Sequence, residues 1–382
     1  MYKTIEELVT RIDEKNSDGT VSELIGVSID KCFIKSVANT NGTDLSKYKI
    51  IRKNDFAVSL MQVSRDGKIP VARLEEYEEA IMSPAYPIFR VKDKNVILPE
   101  YLEMWFKRPE FDREAAFIAV GGVRGSMPWE EFAKMKLPVP TIEKQRKIVN
   151  AYKIVTDRIA LKQKINDNLA NTEQLILYQA ISKNQTIPLS LNEIAEFIDG
   201  DRGKNYPTFD EFSTSGFCLF LNASNVTSSG FNFDSCMFVT EEKDKIMRNG
   251  HLLLNDIVFT SRGTLGNVAL YDKNIKYKNV RINSGMLIIR PKGINLSPYF
   301  IYALLKSNYM KSAIEQFRSG SAQPQLPIKD LQNITFDIPE SQNVLDDLEY
   351  RFFEIEETIS INKREIGNLS ELASILLARL SR

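Results

Sequence analysis

The sequence predicts two similar α/β (α+β) modules, each followed by a long helix. Three observations support this fold class. A block of about 40 residues occurs twice, about 200 residues apart in a chain of 382. A helical stretch of about 40 residues follows each copy. The two helical stretches carry opposite net charges, which favours their pairing with each other.

The repeated block runs from residue 101 to 140 and again from 299 to 339. Prolines mark both copies at a constant offset of 199 residues: Pro128 with Pro327, and Pro140 with Pro339. Shorter matches precede them, namely residues 64–65 with 261–262, residues 71–72 with 268–269, and Asn54, Asp55 and Arg90 with Asn255, Asp256 and Arg290. A copy of this size is too large for a solenoid unit and indicates a duplicated module. Two similar modules imply a pseudo-twofold molecule.

Each module has a mixed composition of strands and loops before its helix. Strand-like runs occupy residues 88–91, 251–254, 256–259 and 285–290. Loops rich in Gly, Ser and Asn separate them, as at residues 222–230. The modules therefore offer many loops for recognition.

The helical stretches run from residue 142 to about 181 and from about 343 to 380. The second has an apolar seam at alternating spacings of three and four residues, interrupted only by Asn362. The first has a rougher seam that includes Ile165 and Ile176. Predicted helix-packing residues are Ile148, Val155, Ile159, Leu169, Leu345, Phe352, Ile355, Asn362 and Leu369. Asn362 would fix the register of the pair at some cost in stability, so its replacement by Leu is expected to raise stability.

Charge supports the pairing of these helices. Residues 141–187 hold eight Lys/Arg and four Asp/Glu, a balance of +4, and residues 340–382 hold five and nine, a balance of −4. A helix of about 40 residues spans about 60 Å, so the pair would be a rigid spacer between the modules. The alternative is that each is an amphipathic surface helix on its own module.

Composition bounds the function. The chain is 43% hydrophobic and 26% charged, with no apolar run of 18 residues and no signal core at its N-terminus. A cytoplasmic protein is therefore expected, and Cys32, Cys218 and Cys236 are expected to be reduced thiols. The formal net charge is zero, which lowers the expectation of nucleic-acid binding without excluding a local basic patch.

Catalytic motifs are missing from the sequence. His251 is its one histidine, so a histidine metal cluster or triad is not expected. Phosphate-binding and dinucleotide-binding glycine loops, the Pro-Pro-aromatic motif of amino-methyltransferases and a metal-nuclease pattern are absent as well. The sequence therefore predicts a non-catalytic chain that holds no metal or cofactor of its own.

Two loop motifs recur at matched positions in both copies, and their residue types suit DNA. Arg pairs bidentately with guanine or phosphate, Gln pairs with adenine, and Gly allows close backbone approach. The first pair of loops comprises residues 64–68 and 261–264, and the second comprises 121–126 and 318–325. The second module adds residues 201–206 and 222–225. Predicted DNA-binding residues are Arg65, Lys68, Arg124, Ser126, Lys204, Asn205, Asn225, Arg262, Thr264, Arg318, Ser321 and Gln323. Ordinary turn chemistry is the alternative for each loop.

The order of these features resembles the specificity subunits of type I restriction–modification systems. A Gly/Ser/Gln loop, a short amphipathic segment, a Pro-x-Pro or Ile-Pro turn with a nearby Gln, and a long heptad helix occur at residues 121–145 and again at 319–342. The resemblance covers essentially the whole chain. One departure is Asp337, which stands where the first copy has Pro138.

The resemblance implies a division of labour along the chain. Residues 1–141 and 183–339 would be target-recognition domains that each read half of a split double-stranded DNA sequence. Residues 142–182 and 340–382 would be conserved spacer helices in an antiparallel coiled coil. This coiled coil would dock two methyltransferase subunits and the restriction or motor subunits, and S-adenosylmethionine, ATP and Mg would bind those other subunits. The alternative is a coiled-coil protein–protein scaffold without nucleic acid.

Overall fold

The computed structural model describes residues 1–36, 43–61, 63–120, 125–293, 296–317 and 325–381. The chain forms two compact units, one of residues 1–160 with 367–382 and one of residues 161–366. Both long helices therefore contribute to both units. The predicted division into modules 1–141 and 183–339 and helices 142–182 and 340–382 stays a prediction.

The first module alternates short strands with short helices before the first long helix. Its elements are β1 (Tyr2–Thr4), α1 (Ile5–Leu8), β2 (Val9–Ile12), β3 (Ile25–Val27), β4 (Phe33–Lys35), β5 (Lys49–Arg52), β6 (Phe56–Val58), α2 (Val63–Asp66), β7 (Val71–Arg73), β8 (Glu79–Met82), β9 (Ile88–Val91), α3 (Pro99–Phe106), α4 (Pro109–Ile118), α5 (Trp129–Lys134), β10 (Lys136–Pro138) and the long helix α6 (Ile142–Lys183).

Within the described residues, the second module repeats most of this order, with one strand more than the first. Its elements are β11 (Thr186–Ser190), α7 (Leu191–Ile194), β12 (Ala195–Asp199), β13 (Cys218–Leu221), β14 (Val226–Thr227), β15 (Gly230–Phe231), β16 (Phe238–Val239), α8 (Glu241–Ile246), β17 (Ile257–Thr260), β18 (Val268–Leu270), β19 (Val280–Ile282), β20 (Met286–Pro291), α9 (Pro298–Lys306), α10 (Asn308–Phe317), α11 (Ile328–Gln332), β21 (Thr335–Pro339) and the long helix α12 (Gln342–Ala378).

The two modules share one sheet topology, which confirms the internal repeat. A four-stranded antiparallel sheet has the order β2-β9-β6-β7 in the first module and β12-β20-β17-β18 in the second. A separate two-stranded sheet joins the first and last strands of each module, β1 with β10 and β11 with β21. Capping boxes Thr4–Glu7 and Ser190–Glu193 begin the corresponding helices α1 and α7.

Part of the repeated sequence maintains this sheet. Arg90 on β9 forms a bidentate ion pair with Asp55, at 2.5 and 2.9 Å, and Arg290 on β20 pairs in the same way with Asp256, at 2.8 and 2.7 Å. Both carboxylates are 1% exposed. The preceding residues, Asn54 and Asn255, both adopt left-handed backbone conformations, with φ of 71° and 72°. Asn tolerates this region better than most residues, so these matches preserve a turn and its ion pair.

The modules differ most in the segment that connects the first strand of the four-stranded sheet to the next strand of that sheet along the chain. In the first module, residues 13–55 between β2 and β6 contain β3, β4 and β5. In the second, residues 200–256 between β12 and β17 contain four strands and helix α8. The sheet is thus a common framework, and the connections that leave it are specific to each module.

Each unit has its own apolar core. In the first, the rings of Phe56, Phe89, Phe106, Phe111 and Phe132 lie together, with neighbouring centroids 5.1–6.3 Å apart. In the second, α9 packs against the sheet and also against the long helices. Phe300 of α9 stacks on Phe352 of α12, and both are fully buried. Burial of such rings contributes several kcal/mol in order of magnitude and joins this module to its helices.

Within the second unit the long helices pair antiparallel. Lys162 of α6 contacts Glu365 of α12 at 2.7 Å, and Asn166 accepts a hydrogen bond from Asn362 at 2.8 Å. Farther along α6, Lys306 of the module joins Glu173 to Glu356. Higher numbers on one helix thus correspond to lower numbers on the other, which confirms the paired helices.

The predicted seam residues of the two long helices differ in how deeply they are buried. Val155, Phe352 and Asn362 are at most 7% exposed, and Ile148, Ile159, Leu169, Leu345, Ile355 and Leu369 are half-buried. The prediction that Ile165 belongs to the seam of the first helix is wrong, because this side chain is 39% exposed. The neighbouring residue Asn166 faces α12 instead, because at this position along the helix pair it forms a hydrogen bond with Asn362.

Gln145 explains why a glutamine follows the first proline-rich turn. Its amide is fully buried, accepts a hydrogen bond from the Leu98 N–H and donates to the carbonyls of Val96 and Pro140, each at 2.9 Å. The residue therefore holds the entry to α3 against the start of α6. Gln342 of the second copy instead bonds to Asp346 on its own helix.

Candidate nucleic-acid interface

In the second module the described end of one predicted recognition loop, Gln325, lies beside the other loop at residues 261–264. Arg262 and Gln325 form an isolated antiparallel β-bridge, and the Leu326 N–H donates to the Ser261 carbonyl at 3.3 Å. The Ser261 N–H and hydroxyl both donate to the Gly285 carbonyl at 3.0 Å. Residues 261–262 and 325–326, which are more than 60 positions apart in sequence, are therefore held together. They form one edge of the second module.

The first module brings its matching loops together in the same way. The Met127 N–H donates to the Leu60 carbonyl at 2.9 Å. Gly125 has a φ of +73°, and a Cβ there would lie 2.4 Å from the Ser64 hydroxyl oxygen. Only glycine allows this approach. The described ends of the matched loops thus lie together in both modules.

Two further loops of the second module adjoin this edge. The turn at residues 222–225 contacts Gly263, where a Cβ would lie 4.0 Å from the Ala223 Cβ. The loop that begins at Gly200 passes so close to residue 283 that a Cβ at Gly200 would lie 2.2 Å from the Asn283 carbonyl oxygen. At Gly200, backbone is therefore packed on the backbone of residue 283, which fixes the position of that loop.

The side chains exposed along this edge are mainly cations, hydroxyls and amides. Arg262, Thr264 and Lys204 are exposed, and Asn205 is half-buried, with its amide 3.4 Å from the Ile246 carbonyl. Arg202, which the sequence analysis did not select, is half-exposed and bonds to Asp199 at 2.9 Å and to the Ser284 carbonyl at 3.4 Å. Its proximity to Ser284 could not be inferred from residues 82 positions apart.

In the first module Arg65 and Lys68 are exposed on the corresponding loop, and Ser126 is half-buried. Arg65 forms a local ion pair with Asp66 at 2.7 Å, with its side chain 62% exposed. Such a pair is weak in water and can open for a phosphate or a base. Four predicted residues, Arg124, Arg318, Ser321 and Gln323, lie outside the described residues.

Asn225 is a correction to the predicted contacts. It is 1% exposed, and its side-chain NH2 donates to the carbonyls of Asn232 at 3.0 Å and Ser235 at 2.8 Å. Its side-chain oxygen accepts from the Asn222 N–H at 3.0 Å. The amide is therefore used within the fold, where it shapes the turn, while Ser224 and Asn222 form the outer part of that turn.

Among the described residues, no group of three or more His, Cys, Asp or Glu side chains could hold a metal ion. None of the described helices is both long enough and apolar enough to cross a membrane. The edge instead offers hydrogen-bond donors and positive charge on fixed loops, which suits an anionic polymer with hydrogen-bonding edges.

The duplicated topology and the paired helices define a protein of two similar modules with two long antiparallel helices. Comparison with known proteins shows what parts of this chain are similar to. Residues 188–367 match the model of the type I restriction modification DNA specificity domain. The resemblance to type I specificity subunits is thereby confirmed, and the matched residues comprise most of the second module and part of α12.

Two relatives span most of the chain. The type I restriction enzyme MjaIX specificity subunit of Methanocaldococcus jannaschii is 21% identical over 304 residues, which cover 75% of this chain and 69% of that protein. The crystal structure of the type I restriction-modification system S subunit from M. genitalium covers 100% of this chain and 96% of its own, with 17% identity and a TM-score of 0.60. At this identity the likeness concerns the fold.

Proposed function

We propose that the chain reads a bipartite double-stranded DNA sequence, one half with each module, as the specificity subunit of a type I restriction–modification complex. The observation that carries the proposal is that the described parts of two matched loops lie together in each module. This arrangement repeats one surface twice on a single chain, as a split target requires. The modules differ in the connections that leave the common sheet, so the two half-sites would differ in sequence.

The exposed residues suit direct reading of bases. Arg262 presents a planar guanidinium, which can pair with the two acceptors of guanine in the major groove. Lys204, Lys68 and Arg202 would contact phosphates and supply the salt-dependent part of the affinity. Because the net charge of the chain is zero, much of the phosphate neutralisation would come from partner subunits.

The paired helices would dock the other subunits. Exposed apolar side chains such as Leu161, Leu175 and Tyr350 lie on their outer surfaces within the second unit. Two methyltransferase subunits, which would bind S-adenosylmethionine, and restriction or motor subunits, which would use ATP and Mg, are the proposed partners. The chain itself would be cytoplasmic and non-catalytic, and the assembled complex would methylate adenine and cleave DNA.

Methylome sequencing tests this proposal. The chain is co-expressed with its methyltransferase subunit in a host that lacks adenine methylation at such sites. The expected result is methylation within two short fixed blocks separated by a constant gap. A stable complex that methylates no split motif contradicts the proposal.

A protein–protein scaffold is the competing function, and the zero net charge is the observation that favours it. Salt distinguishes the two functions. A DNA reader loses affinity for its duplex about 10- to 1,000-fold between 50 and 200 mM salt, depending on how many phosphates it contacts. A scaffold shows no sequence-specific duplex binding at any salt concentration.

A further inference from the structure

In the second unit the hairpin β14–β15 lies between the candidate interface and helix α12. On the interface side it follows the turn at residues 222–225 directly. Asn267, from the loop that contains Arg262, donates its side-chain NH2 to the Val226 carbonyl at 3.0 Å. The start of the hairpin is therefore fixed to two of the loops that would read DNA.

The tip of the hairpin rests on α12. The Lys363 ammonium donates a hydrogen bond to the Ser229 carbonyl. Gly230 has a φ of +97°, and a Cβ there would lie 3.0 Å from the Lys363 nitrogen and 3.7 Å from the Tyr302 hydroxyl oxygen. The absence of a side chain at Gly230 thus allows the backbone to approach the ammonium group closely.

Hydrogen bonds within the hairpin make it rigid, so the position of its tip determines the position of the turn at residues 222–225. The Thr227 hydroxyl donates to the Gly230 carbonyl at 3.0 Å and accepts from the Ser229 N–H at 3.2 Å. Asn225 closes the other end through its two carbonyl contacts. Ser229 lies only four positions after Asn225, a span of at most about 14 Å.

The surface beneath the tip is itself fixed. Lys306 of α9 lies between Glu173 of α6 and Glu356 of α12, at 2.7 and 2.5 Å, and its ammonium stands 4.6 Å from the ring centre of Tyr302. Glu357, the next residue after Glu356, holds the loop after β18 through Lys273 and Asn274, both at 3.2 Å. The helix pair and the hairpin therefore share one polar joint.

We propose that Lys363 is a positioning residue that sets the reading turn of the second module relative to the helix pair. The inference rests on the proposed DNA reading and goes beyond it, because it places a determinant of specificity on a helix that does not contact the bases. Without the ammonium, the hairpin tip loses its hydrogen bond to α12. The turn at 222–225 then becomes free to adopt other positions.

The test measures discrimination by each half-site separately. The half read by the second module is identified as the block that changes when residues 188–339 are exchanged for those of another specificity subunit. The methyltransferase complex is then prepared with the wild-type chain, Lys363→Met, Lys363→Arg and, as a matched control, Arg364→Met, an exposed cation next along the helix. Binding is measured to the target duplex and to duplexes with one mismatch in either half.

For Lys363→Met we expect the mismatch penalty in the second half-site to fall at least about threefold from a wild-type value of about 10-fold or more. The penalty in the first half-site should stay unchanged. Lys363→Arg should restore discrimination because it can donate to the same carbonyl, and Arg364→Met should behave as wild type. Equal penalties in Lys363→Met and wild type would overturn the inference.

A second variant separates positioning from folding. Gly230→Ala keeps the ammonium but strains the tip, because alanine is disfavoured at a φ of +97° and its Cβ would lie 3.0 Å from the Lys363 nitrogen. The same loss confined to the second half-site therefore supports the proposal even if Lys363→Met fails to fold. Wild-type discrimination in Gly230→Ala overturns it. Failure of the proposed function would look different, because the wild-type complex would then have no split target.

Discussion

At the scale of single residues, the repeat combines two kinds of arginine. Arg90 and Arg290 are paired with buried carboxylates in both sheets, and their conservation between the copies maintains the fold. Arg65 and Arg262 recur equally well, yet both are exposed on converging loops. Sequence matching alone cannot distinguish these roles, because both kinds follow from duplication. Burial and pairing distinguish them.

Arg262 is the residue whose replacement should most directly affect reading. Arg262→Ala is expected to weaken binding to the target duplex by about 1–3 kcal/mol, and to relax specificity at one base pair. Arg262→Lys should keep the salt dependence but lose the base preference, since an ammonium lacks the planar fork. Duplex titrations at several salt concentrations measure both effects. Arg351→Ala, whose ion pair with Asp347 lies within α12, is the control. Equal affinity of Arg262→Ala and wild type for the target would exclude a base contact.

At the scale of elements, the polar level in the helix pair changes the expectation for Asn362. The sequence predicted that a Leu there would raise stability. The structure adds partners: Asn362 donates to Asn166 and accepts from Lys162, both at 2.8 Å. A single Leu would leave the half-buried Asn166 amide without this bond, which costs about 1 kcal/mol.

The prediction is therefore made for the pair. Asn362→Leu alone should lower the free energy of unfolding by about 1 kcal/mol, whereas Asn166→Leu with Asn362→Leu should restore or exceed the wild-type value. Urea unfolding of the two single variants and the double variant gives the coupling energy. Additive effects of the two changes would show that the side chains do not interact in solution.

The joint between the second module and its helices should depend on pH. Glu173 is fully buried, its Oε1 has no hydrogen-bond partner among the described residues, and burial raises the pKa of its carboxyl to about 8. The pKa in the folded chain is thus above its ordinary value of 4.5. The stability that the neutral form contributes is fully present below about pH 4.5 and is lost as the pH rises through about 8.

Glu173→Gln should remove this dependence, because Gln keeps the shape and cannot ionise. Between pH 5 and 8 the unfolding free energy of wild type should decline relative to that of Glu173→Gln, by no more than about 1.4 kcal/mol per pH unit. Glu354→Gln, an exposed carboxyl on α12, is the matched control. Parallel pH profiles for wild type and Glu173→Gln would show that Glu173 does not change its protonation over this range.

At the scale of the whole molecule, duplication and the long helices were predictable because their signals are periodic and extend over tens of residues. The prolines at an offset of 199 mark the shared topology, and the heptad pattern marks α12. Individual contact residues were harder to predict. Asn225 has the composition of a surface turn, but the carbonyls that bury its amide belong to residues 232 and 235, in a fold that local pattern does not specify. The approach of Arg202 to Ser284 is likewise a long-range consequence of packing.

The division of the long helices between the units has a consequence for the order of synthesis. The first unit needs Leu377 and Leu380, which pack into its core beside Ile148 and Tyr152. More than 200 residues must leave the ribosome after α6 begins before these side chains are available. The second unit is complete once residue 366 has emerged. The unit that begins first is therefore completed last, and until then Ile148 and Tyr152 near the start of α6 lack the apolar partners Leu377 and Leu380.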